Sequence, residues 1–442
     1  MEMSDVVVRI PPSPTGRLHI GTARMALFNY LFAKHHGGTI RFRSEDTDQT
    51  RSKKEHEEEI IAGLKWLGLS WDSFSRQSER GERYTELLAQ VIASGHAYIS
   101  KEPAKDDPSR EVEVVRLKNP GREVIFDDLI RGPINTHTGE LGDFVIARSP
   151  TDALYHFAVV ADDIDGGVTH VIRGEDHISN TARQILIQEA LGAPRPAYAH
   201  LPLILDDKRA KLSKRSGTAV AVEDYRAEGF LPEALVNYLA LLGWNPGTEQ
   251  EDFSLEQLIE VFSLAGVQKS GAAWDRTKLL SVNQRWMRKM PALEFMERCG
   301  YQMTSTGNPK RLLKLAPLLQ DRAHTIGEAK EIMEKEFDFW ITSAPSVVRE
   351  TLLAKASSET TAAHLKELLT LIHAMPEDVE TEVVKQAIMP YADAQGRGAV
   401  LWPLRYALSG QEKSADPFTI IAVLGPTDAA VRIERAIDIL NK

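Results

Sequence analysis

Cysteine is nearly missing. Cys299 stands alone among 442 residues, which excludes an internal disulfide and any zinc site built from several cysteines, and it suits a reducing compartment. No apolar run approaches the roughly 20 residues that span a bilayer, and no signal-peptide pattern opens the chain, so a cytoplasmic protein is expected. Positive charge is also in short supply: 53 lysines and arginines face 63 acids, for a formal net charge of −10. That balance excludes a uniformly basic nucleic-acid binder but not a local basic strip, because phosphate contacts need only neighbouring cations. Candidate strips are Lys269 with Arg276 and Lys278, then Arg285, Arg288 and Lys289, then Lys310, Arg311 and Lys314. The chain has no internal repeat, no low-complexity tract and no Ser-His-Asp or Cys-His arrangement of a covalent catalyst.

What is there is an ordinary globular composition, 43% apolar and 26% charged, with length enough for roughly two to four domains. The most telling stretch is Arg9-Ile-Pro-Pro-Ser-Pro-Thr-Gly16-Arg-Leu-His19-Ile-Gly21-Thr-Ala-Arg24. Ahead of it the β-branched run Val6–Ile10 predicts a buried strand. Behind it Met25, Phe28, Leu31 and Phe32 recur at helical spacing until the glycines of His35-His-Gly-Gly38 stop the helix. Residues 39–43 then read as a second strand. Such a strand–loop–helix unit turns backbone N–H groups and a helix N-terminus towards phosphate.

A second basic feature lies far along the chain. After the apolar run Leu201–Leu205, read as one strand, comes Lys211-Leu-Ser213-Lys214-Arg215-Ser-Gly217. Alone, this loop reads as a solvated basic turn. Paired with the His19 loop, it suits a triphosphate whose charge grows in the transition state. Between the two, residues 86–148 change character, with strand-like Val112–Leu117 and Val124–Phe126. Strands and helices alternate again from Tyr155 to Gly217, with a strand at Val168–Ile172 and a helix at Thr181–Leu191, so a parallel sheet with its crevice at the strands' C-terminal ends is expected. Beyond residue 220 helical stripes dominate: Leu235, Tyr238, Leu239 and Leu242; then Leu312, Leu315, Leu318 and Leu319; then Leu365, Leu368, Leu369 and Leu371.

His19-Ile-Gly-Thr22 and Lys211-Leu-Ser-Lys-Arg215 resemble the HIGH and KMSKS motifs of class I aminoacyl-tRNA synthetases, and more narrowly the chain resembles the bacterial glutamyl enzymes. Further matching segments are Arg43–Asp48, Gly63–Gly68, Phe126–Leu129, Thr169–His177, Tyr238–Trp244 and Gly396–Leu404. The resemblance implies an α/β fold, a class I Rossmann-type parallel-sheet catalytic domain with an α+β acceptor-binding insertion, followed by an all-helical anticodon-binding domain. The expected divisions are 1–85 and 149–219 for the catalytic halves, 86–148 for the insertion, 220–300 for a stem-contact region and 301–442 for the anticodon-binding domain.

The resemblance also implies roles. Catalysis would rest on His19, Lys214 and Lys211. ATP would meet Thr15, Gly16, His19, Gly21, Lys211, Ser213, Lys214 and Arg215. Glutamate would meet Arg9, Ser13, Glu45, Tyr155, Arg173 and His177, with Arg173 as reader of the side-chain carboxylate. Thr22 departs from the generic fourth position of the motif. Ser13 stands where the glutaminyl relatives have an acid that repels a carboxylate. Asp46 and Asp48 read equally as loop acids or ligand contacts. Mg²⁺ would arrive with ATP, no metal site or structural zinc is expected, and the partners would be glutamate and tRNA(Glu), with tRNA(Gln) as a second candidate, for a monomer. A truncated relative acting on queuosine lacks the long helical region, a non-catalytic paralogue is disfavoured by the presence of His19, Lys214 and Glu45, and a small-molecule nucleotidyltransferase would leave the stem-contact and helical regions without a purpose.

Overall fold

The computed structural model describes residues 6–104, 107, 109–213, 220–301, 309–335, 338–341 and 345–442. Chain contacts divide it into two units, Met1–Val282 and Asn283–Lys442.

In the first unit β1 (Val7–Ile10) leads into α1 (Ile20–His35), and β2 (Thr39–Ser44) returns parallel to β1, with Val8 opposite Ile40 and Ile10 opposite Phe42. The helix ends where expected: Gly37 takes φ +65°, a left-handed step that glycine makes without a Cβ clash. α2 (Lys54–Trp66) then returns the chain to β3 (Ser73–Arg76), which extends the sheet beside β2, and α3 (Gly81–Ala93) follows. α3 passes through residues 85 and 86 without a break.

The next stretch builds two antiparallel pieces. β4 (Ala97–Pro103), β5 (Glu111–Leu117), β8 (Phe144–Ser149) and β9 (Asp152–Ala153) form one sheet. β6 (Glu123–Asp128) and β7 (Gly132–His137) form a hairpin whose first strand joins the second half of this unit. That half holds α4 (Tyr155–Asp165), β10 (His170–Gly174), α5 (Ile178–Ala190) and β11 (Ala197–Leu201), the two strands pairing in parallel. β11 also runs parallel to β6 at Tyr198 and Asp128. Thr169 ties the halves, donating its N–H to the Val7 carbonyl at 2.9 Å and accepting from the Val7 N–H on Oγ1 at 2.9 Å. This stretch is therefore not a tethered appendage. Its Val115, Leu117, Val124 and Ile146 share one buried core with Phe157, Ile185 and Tyr198 of that second half.

The single strand expected over Leu201–Leu205 is two. β11 stops at Leu201, and β12 (Ile204–Leu205) pairs instead with β13 (Ala272–Ala273). Pro202 has no N–H to continue the ladder, which is why the chain changes sheets there. Helices α6 (Val222–Ala227), α7 (Pro232–Leu241) and α8 (Leu255–Val261) follow, and α9 (Arg276–Lys289) crosses from the first unit into the second.

The second unit is helical throughout its described residues. Its elements are α10 (Ala292–Arg298), α11 (Pro309–Arg322), α12 (Ile326–Lys335), α13 (Asp338–Ile341), α14 (Arg349–Leu352), α15 (Ser358–His373), α16 (Thr381–Gln395), α17 (Arg397–Ser409), α18 (Pro417–Leu424) and α19 (Pro426–Asn441). The leucine stripes are core: Leu312, Leu315, Leu319, Leu365 and Leu368 are buried.

One basic strip is reassigned. Arg311 is buried and donates to the carbonyls of Trp340 (3.0 Å) and Leu424 (3.1 Å) and to Asp428, while Lys314 donates to the Ala422 carbonyl at 3.0 Å. These cations hold helix ends together, because the carbonyls there lack intrahelical partners. Replacing Arg311 with methionine should destabilise this unit by about 2 kcal/mol and leave the salt dependence of RNA binding unchanged. Unchanged melting with a shallower salt slope would return Arg311 to the phosphate contacts.

Candidate active site

The strands β1, β10 and β11 end around one cleft of about 640 Å³. Parallel sheets place ligand crevices at such carboxyl ends. Its wall comes from the His19 loop, the start of α1, the end of β2, Tyr155, the turn after β10, and the chain from Leu201 to Ser213.

His19 is the N-cap of α1. Its Nδ1 accepts the Gly21 N–H at 3.0 Å, so in the neutral ring the proton sits on Nε2. A Cβ at Gly21 would press to 3.2 Å from that Nδ1, so glycine keeps the ring in place. The chain at Val220–Val222 is joined to this loop by backbone: Ile20 donates to Val220 at 2.8 Å and Val222 to Leu18 at 2.9 Å. On its other side the chain turns tightly, Leu212 donating to Ile204 at 2.9 Å and Arg209 taking φ +65°. Lys211 at the end of that turn pairs with Asp176 at 2.7 Å. Lys214 and Arg215, expected at the triphosphate, lie outside the described residues, as does the rest of 214–219.

Deeper in the cleft, charge is organised by burial. Asp163 of α4 lies between two guanidiniums, 3.3 Å from Arg9 Nε and 2.6 Å from Arg43 Nη1. Arg43 also donates to Glu45 Oε1 at 2.9 Å. All four side chains are at least nine-tenths buried. Burial would raise the Asp163 carboxyl, but Arg43 and Arg9 hold it below the usual carboxylate range. Burial raises the Glu45 carboxyl, and Arg43 pulls it back only in part. The difference is physical: Asp163 touches two cations and Glu45 one. Asp162 continues the network to Gln77, Arg80 and Tyr84.

Arg173 at the end of β10 differs from these. Its guanidinium donates to His200 Nε2 (3.2 Å), Gln184 Oε1 (2.7 Å), Thr181 Oγ1 (2.8 Å) and the His177 carbonyl (3.4 Å). Every one of these acceptors is uncharged. Burial, with Arg9 nearby, lowers its proton affinity. A buried cation held by neutral groups and facing a cleft is built for an anion that comes from outside.

Of the expected contacts, Arg9, Ser13, Thr15, His19, Gly21, Glu45, Tyr155, Arg173, His177, Lys211 and Ser213 all line this cleft, and Gly16 does not. Asp46 and Asp48 do not line it either. Asp46 accepts from the Ser78 N–H and hydroxyl, and Asp48 from Thr50 and Arg51, so both are loop acids. Sequence reasoning missed Asp163, Arg43, His200, Gln184 and Arg24. Two adjacent acids inside the apolar run Phe157–Ile164 were a readable sign of a buried counter-charge. Arg24 lines the cleft, donates to the Pro202 carbonyl at 2.8 Å and lies over the Phe28 ring. Burial pushes it down to about 10.

Beside Arg173 the ring of His156 is packed with its Nδ1 unpartnered among the described residues. Burial, with Arg183 and Arg173 nearby, pushes this imidazole down to about 4. The folded chain thus favours the neutral ring. The stability this contributes is present above the unfolded value near 6.5 and is lost as pH falls towards 4. His156→Phe should flatten the acid fall in melting midpoint over that range, worth up to about 2 kcal/mol. An acid limb unchanged in the variant would show that His156 does not titrate there.

Comparison with known proteins places the chain in a family. The catalytic domain of class I tRNA synthetases (E and Q) matches residues 5–106 and 99–281, and an anticodon binding domain matches 287–437. The chain is 40% identical to the glutamate–tRNA ligase of Aquifex aeolicus, over 99% of this chain and all of that one. It is 38% identical to that of Carboxydothermus hydrogenoformans, covering 97% and 99%. A crystal structure of a glutamate tRNA ligase from Elizabethkingia meningosepticum in complex with its amino acid superposes with a TM-score of 0.86 at 31% identity, covering 99% and 100%. Glutamate-tRNA synthetase from Elizabethkingia anophelis gives 0.82 at 30%, covering 98% and 100%. The chain belongs to the glutamate–tRNA ligase family of class I aminoacyl-tRNA synthetases.

Proposed function

We propose that the chain joins L-glutamate to tRNA(Glu) with ATP, through a glutamyl-adenylate held in this cleft. The observation that carries this reading is Arg173, a buried cation with neutral partners on the cleft wall. A glutamate side-chain carboxylate supplies the missing charge, whereas a glutamine amide does not. Arg9 adds a second cation, and Glu45 offers a carboxylate to the substrate ammonium. Ser13, Tyr155 and His177 complete the amino-acid side.

In the first step a carboxylate oxygen of the α-carboxylate attacks the α-phosphorus of ATP and pyrophosphate leaves. His19, protonated on Nε2, donates to the α-phosphate oxygens, with Thr15, Gly16 and Gly21 around the nucleotide. Lys211, Ser213, Lys214 and Arg215 neutralise the triphosphate, and Mg²⁺ travels with ATP, held by phosphates and water. In the second step a ribose hydroxyl of the terminal tRNA adenosine attacks the acyl carbon and AMP leaves. Neither step needs a protein nucleophile, since positioning and charge supply the rate. Lys211 is paired with Asp176, so ATP exchanges that carboxylate for its own phosphates.

Residues 1–85 and 149–219 form the catalytic halves of this reading, 86–148 meet the acceptor end, 220–300 contact the stem and 301–442 read the anticodon. The enzyme works as a cytoplasmic monomer, and tRNA(Gln) is its second candidate partner. Charging of separate tRNA(Glu) and tRNA(Gln) transcripts with labelled glutamate tests the function. Acylation of tRNA(Glu) is expected, acylation of both defines a dual-specificity enzyme, and binding without acylation of either would overturn the reading. Arg173→Ala should raise KM for glutamate by about a hundredfold or more and leave KM for ATP nearly unchanged. Unaltered glutamate use in that variant would remove Arg173 from the pocket.

A further inference from the structure

We propose that His200, oriented by Asp128, is a positioning residue that holds Arg173 through an uncharged acceptor and so keeps its guanidinium open to the substrate's side-chain carboxylate. The proposal rests on the reading of Arg173 as the carboxylate reader.

The geometry is a chain of three side chains from three strands. Asp128 closes β6, His200 lies on β11 and Arg173 on β10. His200 Nδ1 is 2.7 Å from Asp128 Oδ2, and its Nε2 is 3.2 Å from Arg173 Nε. His200 is fully buried and Asp128 nearly so. Arg173 Nε can only donate, so the imidazole nitrogen it meets must be the acceptor, and the ring proton must sit on Nδ1 facing Asp128. Asp128 fixes that tautomer. Its carboxylate is itself held by the backbone N–H groups of Ile130 (3.0 Å), Arg131 (2.9 Å) and His200 (3.1 Å), so it cannot swing towards Arg173.

The arrangement solves a specific problem. A buried guanidinium needs an anion nearby to stay charged, yet an acid bonded directly to it would occupy the charge meant for the substrate. Arg9 shows the direct solution, with Asp163 against its Nε. At Arg173 the acid stands one ring further away. The imidazole passes on a lone pair rather than a formal charge, and Gln184 and Thr181 complete a neutral cradle. Arg173 is thereby fixed in plane without being neutralised. Because Asp128 lies on β6, within residues 86–148, the glutamate reader and that segment share a support.

Steady-state aminoacylation of the full enzyme, with glutamate and ATP varied separately, tests this with His200→Leu, His200→Gln and Arg173→Ala. His200→Leu should raise KM for glutamate by about tenfold or more, with kcat and KM for ATP changed far less. His200→Gln, which restores a neutral acceptor, should recover part of the loss. Equal losses for Leu and Gln, or parallel losses in ATP use, would reduce His200 to packing and overturn the proposal. Arg173→Ala separates the two levels. If it leaves glutamate KM unchanged, the reading of the pocket fails; if it raises that KM while both His200 variants behave as wild type, only the positioning role fails. The ring nitrogens of His200 in the unaltered enzyme, followed by ¹H–¹⁵N NMR, need no variant to fold. A proton on Nδ1 is expected, and a proton on Nε2 would contradict the arrangement.

Discussion

Burying a charge without a counter-charge is among the most expensive things a fold can do, and the catalytic half is arranged around one such charge. Arg173 lies near the end of β10, which pairs in parallel with β11, where the chain delivers it to the cleft but also removes it from water. Its acceptors come from α5, from β11 and from the turn after β10. Each therefore depends on the sheet register that sets Arg173 opposite His200. In the reading proposed above, a bound carboxylate recovers the cost of that burial, and the site would prefer an acid to its amide by electrostatics rather than by shape.

A second network solves the opposite task beside it. Arg9, Arg43, Asp163 and Glu45 form a buried group in which opposite charges alternate, so their positions are fixed before substrate arrives. Glu45 keeps a partial cost of burial, which an ammonium placed as proposed would offset. This second network draws on β1, β2 and α4, the first on β10, β11 and α5. One network closes its charges among its own residues and the other is open by one anion, the difference on which the proposed placement of the substrate's ammonium and side-chain carboxylate rests.

Much of this was legible in the sequence, for reasons that can be named. The strand–loop–helix unit around His19 is local: a β-branched run, a glycine-bearing loop and a helical stripe specify it within forty residues. The lysine loop was legible as chemistry, and the backbone bonds of Val220 and Val222 to Ile20 and Leu18 bring the chain just beyond it to the His19 loop. What stayed hidden was long-range. Asp163 and His200 carry no local sign of which arginine they face, since that pairing is set by sheet order. Arg311 read as one cation of a surface strip because composition cannot tell a solvated arginine from one that closes helix ends. The run Leu201–Leu205 misled because apolar content outweighed Pro202, whose missing N–H sends the chain to another sheet.

The most direct test is a crystal structure with a non-hydrolysable glutamyl-adenylate analogue bound. The account predicts the side-chain carboxylate against Arg173, with His200 still accepting from its Nε. It places the ammonium against Glu45 and the phosphate mimic within hydrogen-bond reach of His19 Nε2. A complex in which the side-chain carboxylate meets the lysine loop while Arg173 keeps only its protein partners would contradict it.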